Sequence, residues 1–188
     1  RTPLNAIVGF SDLLFDDYSE EQKLNFVETI NNNADQLLRI IDDVLAVSRL
    51  DSEKIPLEFE CFNPATLLND LYTTFIPQFD QNSITFVLDE YPKSFKGEMC
   101  ADKNKIRQVL SGFINNSIKY TEKGSIHIGC KHFDNSLRYY VKDTGIGIPE
   151  DEQSQIFNRF FRGYEPQIRA IRGNGLGLSI AAGLIELM

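Results

Sequence analysis

From residue 22 to residue 50, apolar side chains return every three or four positions: Val27, Ile30, Ala34, Leu37, Ile41 and Val44, with Ser48 completing the series. This is the spacing of a helix that lays one seam against another helix. Leu24, Leu38 and Leu45 widen the stripe, so more than one neighbour is expected, as in a bundle. An isolated helix has nowhere to bury it. Upstream, Leu4, Ile7, Val8, Leu13 and Leu14 form a shorter apolar face, followed by the polar residues 16–21. The two segments predict a helical hairpin with a short first arm.

The pattern then changes. Ile55, Leu57, Phe59 and Cys61 alternate with Glu58 and Glu60, which predicts a strand after a boundary near residue 52. A helix is expected over 64–79 and a strand over 83–90. Asp102 is a suitable N-cap for a helix carrying Ile106, Val109, Leu110, Phe113, Ile114 and Ile118 on its buried face. Residues 125–133 and 137–142 alternate as two strands around the turn Asp134-Asn135. Strands and helices mixed in this way predict an α+β fold, a sheet covered by helices on one face.

Composition narrows the function. Nineteen basic against twenty-seven acidic residues give a net charge of −8, unsuited to a nucleic-acid surface, which needs clustered Lys and Arg. The three cysteines, Cys61, Cys100 and Cys130, show no paired metal-ligand spacing, so neither a disulfide framework nor a zinc site is expected, and a reducing cytoplasm fits. Apolar runs fall short of the roughly 20 residues a membrane helix needs, so this segment is not expected to be membrane-embedded.

Four short motifs follow one another in the second half: Asn116-Ser117-Ile118-Lys119-Tyr120, Asp143-Thr144-Gly145-Ile146-Gly147, Phe157-Asn158-Arg159-Phe160-Phe161-Arg162 and Gly173-Asn174-Gly175-Leu176-Gly177-Leu178. The first offers a carboxamide and an ammonium about one helical turn apart, suited to a metal ion and a phosphate, with Tyr120 as a flat wall. In the second, a carboxylate precedes Gly145 and Gly147, with Ile146, Ile148 and Phe160 available as apolar walls. The last is a glycine-rich turn opening a helix, where N–H groups and the helix dipole attract phosphate. Together they predict a nucleotide pocket. Residues 150–172, without sustained periodicity, are long enough to be a functional loop.

In this order the segments resemble the N, G1, F and G2 boxes of the sensor histidine kinases of two-component systems. Arg1-Thr2-Pro3-Leu4-Asn5 resembles the end of their H box. The resemblance implies a dimeric four-helix bundle built from hairpins, residues 1–52, followed by an ATP-binding sandwich of the Bergerat (GHKL) type, residues 53–188. It implies Mg²⁺ and ATP as ligands, a homodimer, and a response-regulator receiver domain as partner.

Residue by residue, it implies metal binding by Asn116 and phosphate contacts from Lys119 and Arg162. Asp143 would meet the adenine amino group, with Tyr120, Gly145, Gly147, Ile148 and Phe160 around the base. Gly173, Gly175, Leu176, Gly177 and Leu178 would line the phosphates. Arg169 and Arg172 are alternatives to Arg162, and Thr2 would orient water for dephosphorylating the receiver. The phosphoaccepting histidine belongs three residues before Arg1, and both ends of the chain read as truncated. Location in the cytoplasm is implied, with inner-membrane anchoring of a parent protein left open. His127 and His132 carry no such motif and are expected to be structural. Gly112 stands where the family has a second asparagine. A signalling scaffold lacking catalysis, and an ATPase of the gyrase, Hsp90 or mismatch-repair type, are the alternative readings.

Overall fold

The computed structural model describes the chain except residues 1, 53–54, 80–82, 90–96, 134–135, 165–167, 169–170 and 172. It forms two compact units, Arg1–Glu53 and Lys54–Met188.

The first unit is a helical hairpin of α1 (Thr2–Leu13) and α2 (Glu20–Asp51). Ser19 starts α2 with a capping box: its hydroxyl accepts the Gln22 N–H and the Gln22 side chain accepts the Ser19 N–H, satisfying donors a helix start leaves open. Phe26 packs on both Phe10 and Tyr18, at ring separations of 5.6 and 5.1 Å. The apolar stripe of α2 is only partly used within the hairpin: Leu37 is half-buried, whereas Ile41 and Val44 are 46% and 47% exposed.

The second unit contains β1 (Glu60–Phe62), α3 (Pro64–Phe75), β2 (Ile84–Leu88), β3 (Met99–Ala101), α4 (Lys103–Tyr120), β4 (Gly124–Phe133), β5 (Ser136–Asp143), the single turn α5 (Glu150–Gln153) and α6 (Gly177–Leu187). The larger sheet has the order β2-β4-β5, with β2 parallel and β5 antiparallel to β4. Phe62, Leu67, Leu71, Phe75, Phe79, Ile84, Phe86, Leu110, Ile114, Ile126 and Ile128 form the core between this sheet and α3 and α4. Phe86 stacks on Phe79 and Tyr72, which fixes the register of β2 against the helical layer.

Two expectations are corrected. The segment 55–61 does not alternate as expected: Phe59 is 64% exposed, Cys61 is exposed, and Phe62 supplies the buried position. Pairing of β1 with β3 begins only at Glu60, so burial there follows a three-residue ladder rather than the longer pattern. The second correction concerns the cysteines. β1 and β3 set Cys61 opposite Cys100, and the two are joined in a disulfide across a sequence separation of 39. Register across an antiparallel ladder, invisible in sequence spacing, creates that pair. Cys130 remains a buried thiol, pushed up to about 11 by desolvation. The turn Asp134-Asn135 lies outside the described residues.

Candidate active site

Asp102 fixes the start of α4. Its buried carboxylate accepts the Lys105 N–H at 2.9 Å as an N-cap and the Glu58 N–H at 3.0 Å from the segment before β1. Burial works to raise the carboxyl's pKa, but these backbone donors bring it below its ordinary value. Val109, Leu110 and Ile114 then point into the core, which leaves Gly112, Asn116 and Tyr120 half-buried and Lys119 exposed. A Cβ on Gly112 meets nothing within 4 Å. No close packing therefore demands glycine there. Gly112→Ala is expected to stabilise the unit by about 0.5–1 kcal/mol through helix propensity, seen as a higher Tm, and Gly112→Asn by only about 0.2 kcal/mol.

Ser117 lies one residue past Asn116 and is buried against the sheet. Its hydroxyl donates to Asp143 Oδ2 at 2.8 Å, while the Gly145 N–H donates to Oδ1 at 2.9 Å. Asp143 ends β5 and is exposed, so its carboxylate is aimed by two donors and still open to solvent. Each carboxylate oxygen accepts about two hydrogen bonds, leaving capacity for a further donor.

The chain bends tightly beyond it. The Ile146 N–H donates to the Tyr120 carbonyl at 3.1 Å, bringing the residues after β5 against the end of α4. A Cβ on Gly145 would stand 2.4 Å from that same carbonyl oxygen, 2.9 Å from Thr121 Oγ1 and 3.0 Å from Asp143 Oδ1. Glycine is required at position 145 by the protein's own backbone. Ile146, Ile148 and Phe160 are all exposed.

The F and G2 boxes hold each other. Phe160 has a positive φ of 62° and donates its N–H to the Gly175 carbonyl at 2.9 Å. Gly175 has φ 71°, and a Cβ there would stand 2.6 Å from the Phe161 carbonyl. Leu176 is buried, its N–H accepted by the Asn174 side chain, and α6 begins at Gly177. Gly173 and Gly177 have open space where side chains would stand, and Leu178 is half-buried in the first turn of α6. α6 packs on α4, bringing the G2 helix beside the N-box helix.

Arg162 is placed differently from a side chain waiting in solvent. It is half-buried, and its guanidinium donates to the carbonyls of Ile168 and Ile171 within the loop. Arg169 and Arg172 lie outside the described residues. Glu152, buried at the start of the loop, accepts the Tyr164 N–H at 2.9 Å. Thr2 lies exposed at the start of α1 in the other unit. His127 bonds Asp89 at 2.9 Å on β4, within a network that includes Tyr140.

Sequence reasoning assigned no role to Ser117, although it sits inside the first motif. A hydroxyl on the core side of a helix is itself a signal, because a buried hydroxyl needs a partner. The Tyr120 carbonyl carries no signal in sequence at all.

Comparison with known proteins accords with this geometry. Residues 1–53 match the His Kinase A (phospho-acceptor) domain, and residues 101–188 match the histidine kinase-, DNA gyrase B-, and HSP90-like ATPase family. The catalytic domain of histidine kinase ThkA aligns at 31% identity with a TM-score of 0.58, covering 69% of this chain and 82% of that one. The chain belongs to the sensor histidine kinases of two-component systems.

Among relatives of this histidine kinase chain, the aerobic respiration control sensor protein ArcB homolog of Haemophilus influenzae is 32% identical over the whole chain. The chain spans 57% of the length of that relative. Full-length ShkA, solved in complex with AMPPNP, aligns at 28% identity with a TM-score of 0.76, over 100% of this chain and 39% of that one. ThkA in complex with response regulator protein TrrA aligns at 28% identity with a TM-score of 0.69, over 86% of this chain and 47% of that one. Among the described residues, no helix is long and apolar enough to cross a membrane.

Proposed function

We propose that this chain binds Mg-ATP, with adenine at Asp143, and that it works in a kinase transferring the γ-phosphoryl group to a histidine and then to a response-regulator aspartate. The observation that carries the reading is the Asp143 carboxylate, aimed by Ser117 and Gly145 and open to solvent. It is an acceptor, matching the adenine amino group. Guanine presents a carbonyl at the corresponding position and sets two acceptors against each other.

Phosphates would lie at the α6 N-terminus, with Gly173, Gly175, Leu176, Gly177 and Leu178 around them and N–H groups as donors. Lys119 adds a positive charge from α4. Asn116 offers a neutral oxygen, the kind of donor Mg²⁺ takes while keeping phosphate oxygens and water for its other ligands. Mg²⁺, when bound, offsets charge on the transferring phosphoryl group. Tyr120, Gly147, Ile148 and Phe160 would border the base and sugar. Arg162 would add a second positive charge toward the phosphates while one of its guanidinium nitrogens holds the Ile168 and Ile171 carbonyls. Thr2 would serve the reverse step, orienting water toward the phosphorylated receiver.

With the chain extended upstream through an H-box histidine, labelled ATP should place acid-labile phosphate on that histidine, and Asn116→Ala should abolish it. Intact nucleotide binding with no label would favour the scaffold reading, which Gly112 supports. The partly open α2 stripe supports a homodimer in which two hairpins enclose one seam. Ile41→Glu, charging an exposed seam position that the hairpin does not bury, should shift sedimentation from dimer to monomer. A wild-type chain that stays monomeric through the concentration series, including with the first helix extended upstream, would contradict the bundle.

A further inference from the structure

We propose that Cys61 and Cys100 form a reversible thiol–disulfide site, oxidised by a low-molecular-weight disulfide such as glutathione disulfide, that fastens β1 to the strand leading into α4. The two cysteines face each other at the centre of a ladder only three residue pairs long. A two-stranded ribbon of this size is marginal without help. The covalent link therefore contributes much of its persistence.

Both cysteines are exposed, so a small thiol or disulfide reaches them without unfolding the unit. Exposed disulfides are the labile and regulatory ones, in contrast to those sealed inside a core. Cys130, buried and with its thiol pushed up to about 11, is a poor competitor for the exchange. What the link fastens gives it a consequence. β3 ends at Ala101, and the next residue is Asp102, whose carboxylate holds Glu58 ahead of β1 and Lys105 in the first turn of α4. The disulfide and Asp102 thus hold neighbouring points of the same segment against the base of the helix that carries Asn116 and Lys119. None of these groups belongs to the nucleotide site proposed above.

The exchange balances as two displacements. One cysteine thiolate attacks a sulfur of glutathione disulfide, forms a mixed disulfide and expels one glutathione thiolate. The second thiolate attacks the protein-bound sulfur of that mixed disulfide, closing Cys61–Cys100 and expelling the other. Two electrons pass from protein to glutathione, and the two thiol protons end on the released glutathione.

The test equilibrates the chain in buffers running from reduced glutathione alone to excess glutathione disulfide, followed by acid quench, alkylation and mass measurement. The expected result is a disulfide fraction that follows the square of reduced glutathione over glutathione disulfide, with a midpoint inside the range. Amide exchange at Glu58 and Lys105 should be about tenfold or more faster in the dithiol form. Cys61→Ser should leave Cys100 carrying glutathione as a stable mixed disulfide; should that variant not fold, the wild-type titration decides alone. A disulfide that persists at every ratio, a dithiol that persists at every ratio, or equal amide exchange in the two forms would overturn the proposal.

Discussion

Gly145→Ala should remove measurable nucleotide binding and lower the stability of the second unit by about 1–3 kcal/mol. The added Cβ would stand 2.4 Å from the Tyr120 carbonyl oxygen, and this oxygen already accepts the Ile146 N–H. A flexible side chain could turn aside, but a backbone carbonyl at the end of α4 cannot do so without dragging the helix terminus with it. Relief would have to come from the segment after β5, which carries the Gly145 N–H that aims Asp143. The same substitution therefore strains the fold and misdirects the carboxylate. Thermal unfolding and calorimetric titration with Mg-ADP read the two effects separately. Gly112→Ala is the matched control, since a Cβ at that position meets nothing within 4 Å.

Much of this molecule was legible in its residues because the relevant physics is local. The three- and four-residue spacing along α2 forces a helix with an apolar seam, and Asp102 reads as the N-cap it is. The order of the glycine-containing motifs pointed to the family. What escaped reading depends on residues distant in sequence. Cys61 and Cys100 are 39 positions apart, and only the β1–β3 register shows that they meet. The alternation ahead of β1 misled because Phe62, not Cys61, joins the core. The hydrogen bonds from Arg162 to the carbonyls of Ile168 and Ile171 likewise carry no signal in sequence spacing. Gly145 was expected to border a nucleotide base, and the constraint the structure shows on it is a carbonyl 25 positions earlier that any residue would have supplied. Ser19 and Gln22 form a capping box whose signature was present in the sequence, where the polar residues 16–21 meet the helix with the apolar seam.

Asp143 is central to the proposed adenine recognition. Replacing it with alanine removes the acceptor for the adenine amino group and leaves Ser117 and the Gly145 N–H without their shared partner. An unmet hydrogen bond in such a site costs about 1–3 kcal/mol, so adenine-nucleotide affinity should fall about ten- to a hundredfold. Some loss of stability is expected as well, because the Ser117 hydroxyl is buried. The decisive measurement is calorimetric titration of folded wild-type and Asp143→Ala chains with Mg-ATP and Mg-GTP, with circular dichroism confirming the fold. Tight adenine binding and weak guanine binding are expected in the wild type, with the adenine preference collapsing in the variant. A folded Asp143→Ala chain that binds Mg-ATP as well as the wild type does would contradict that recognition.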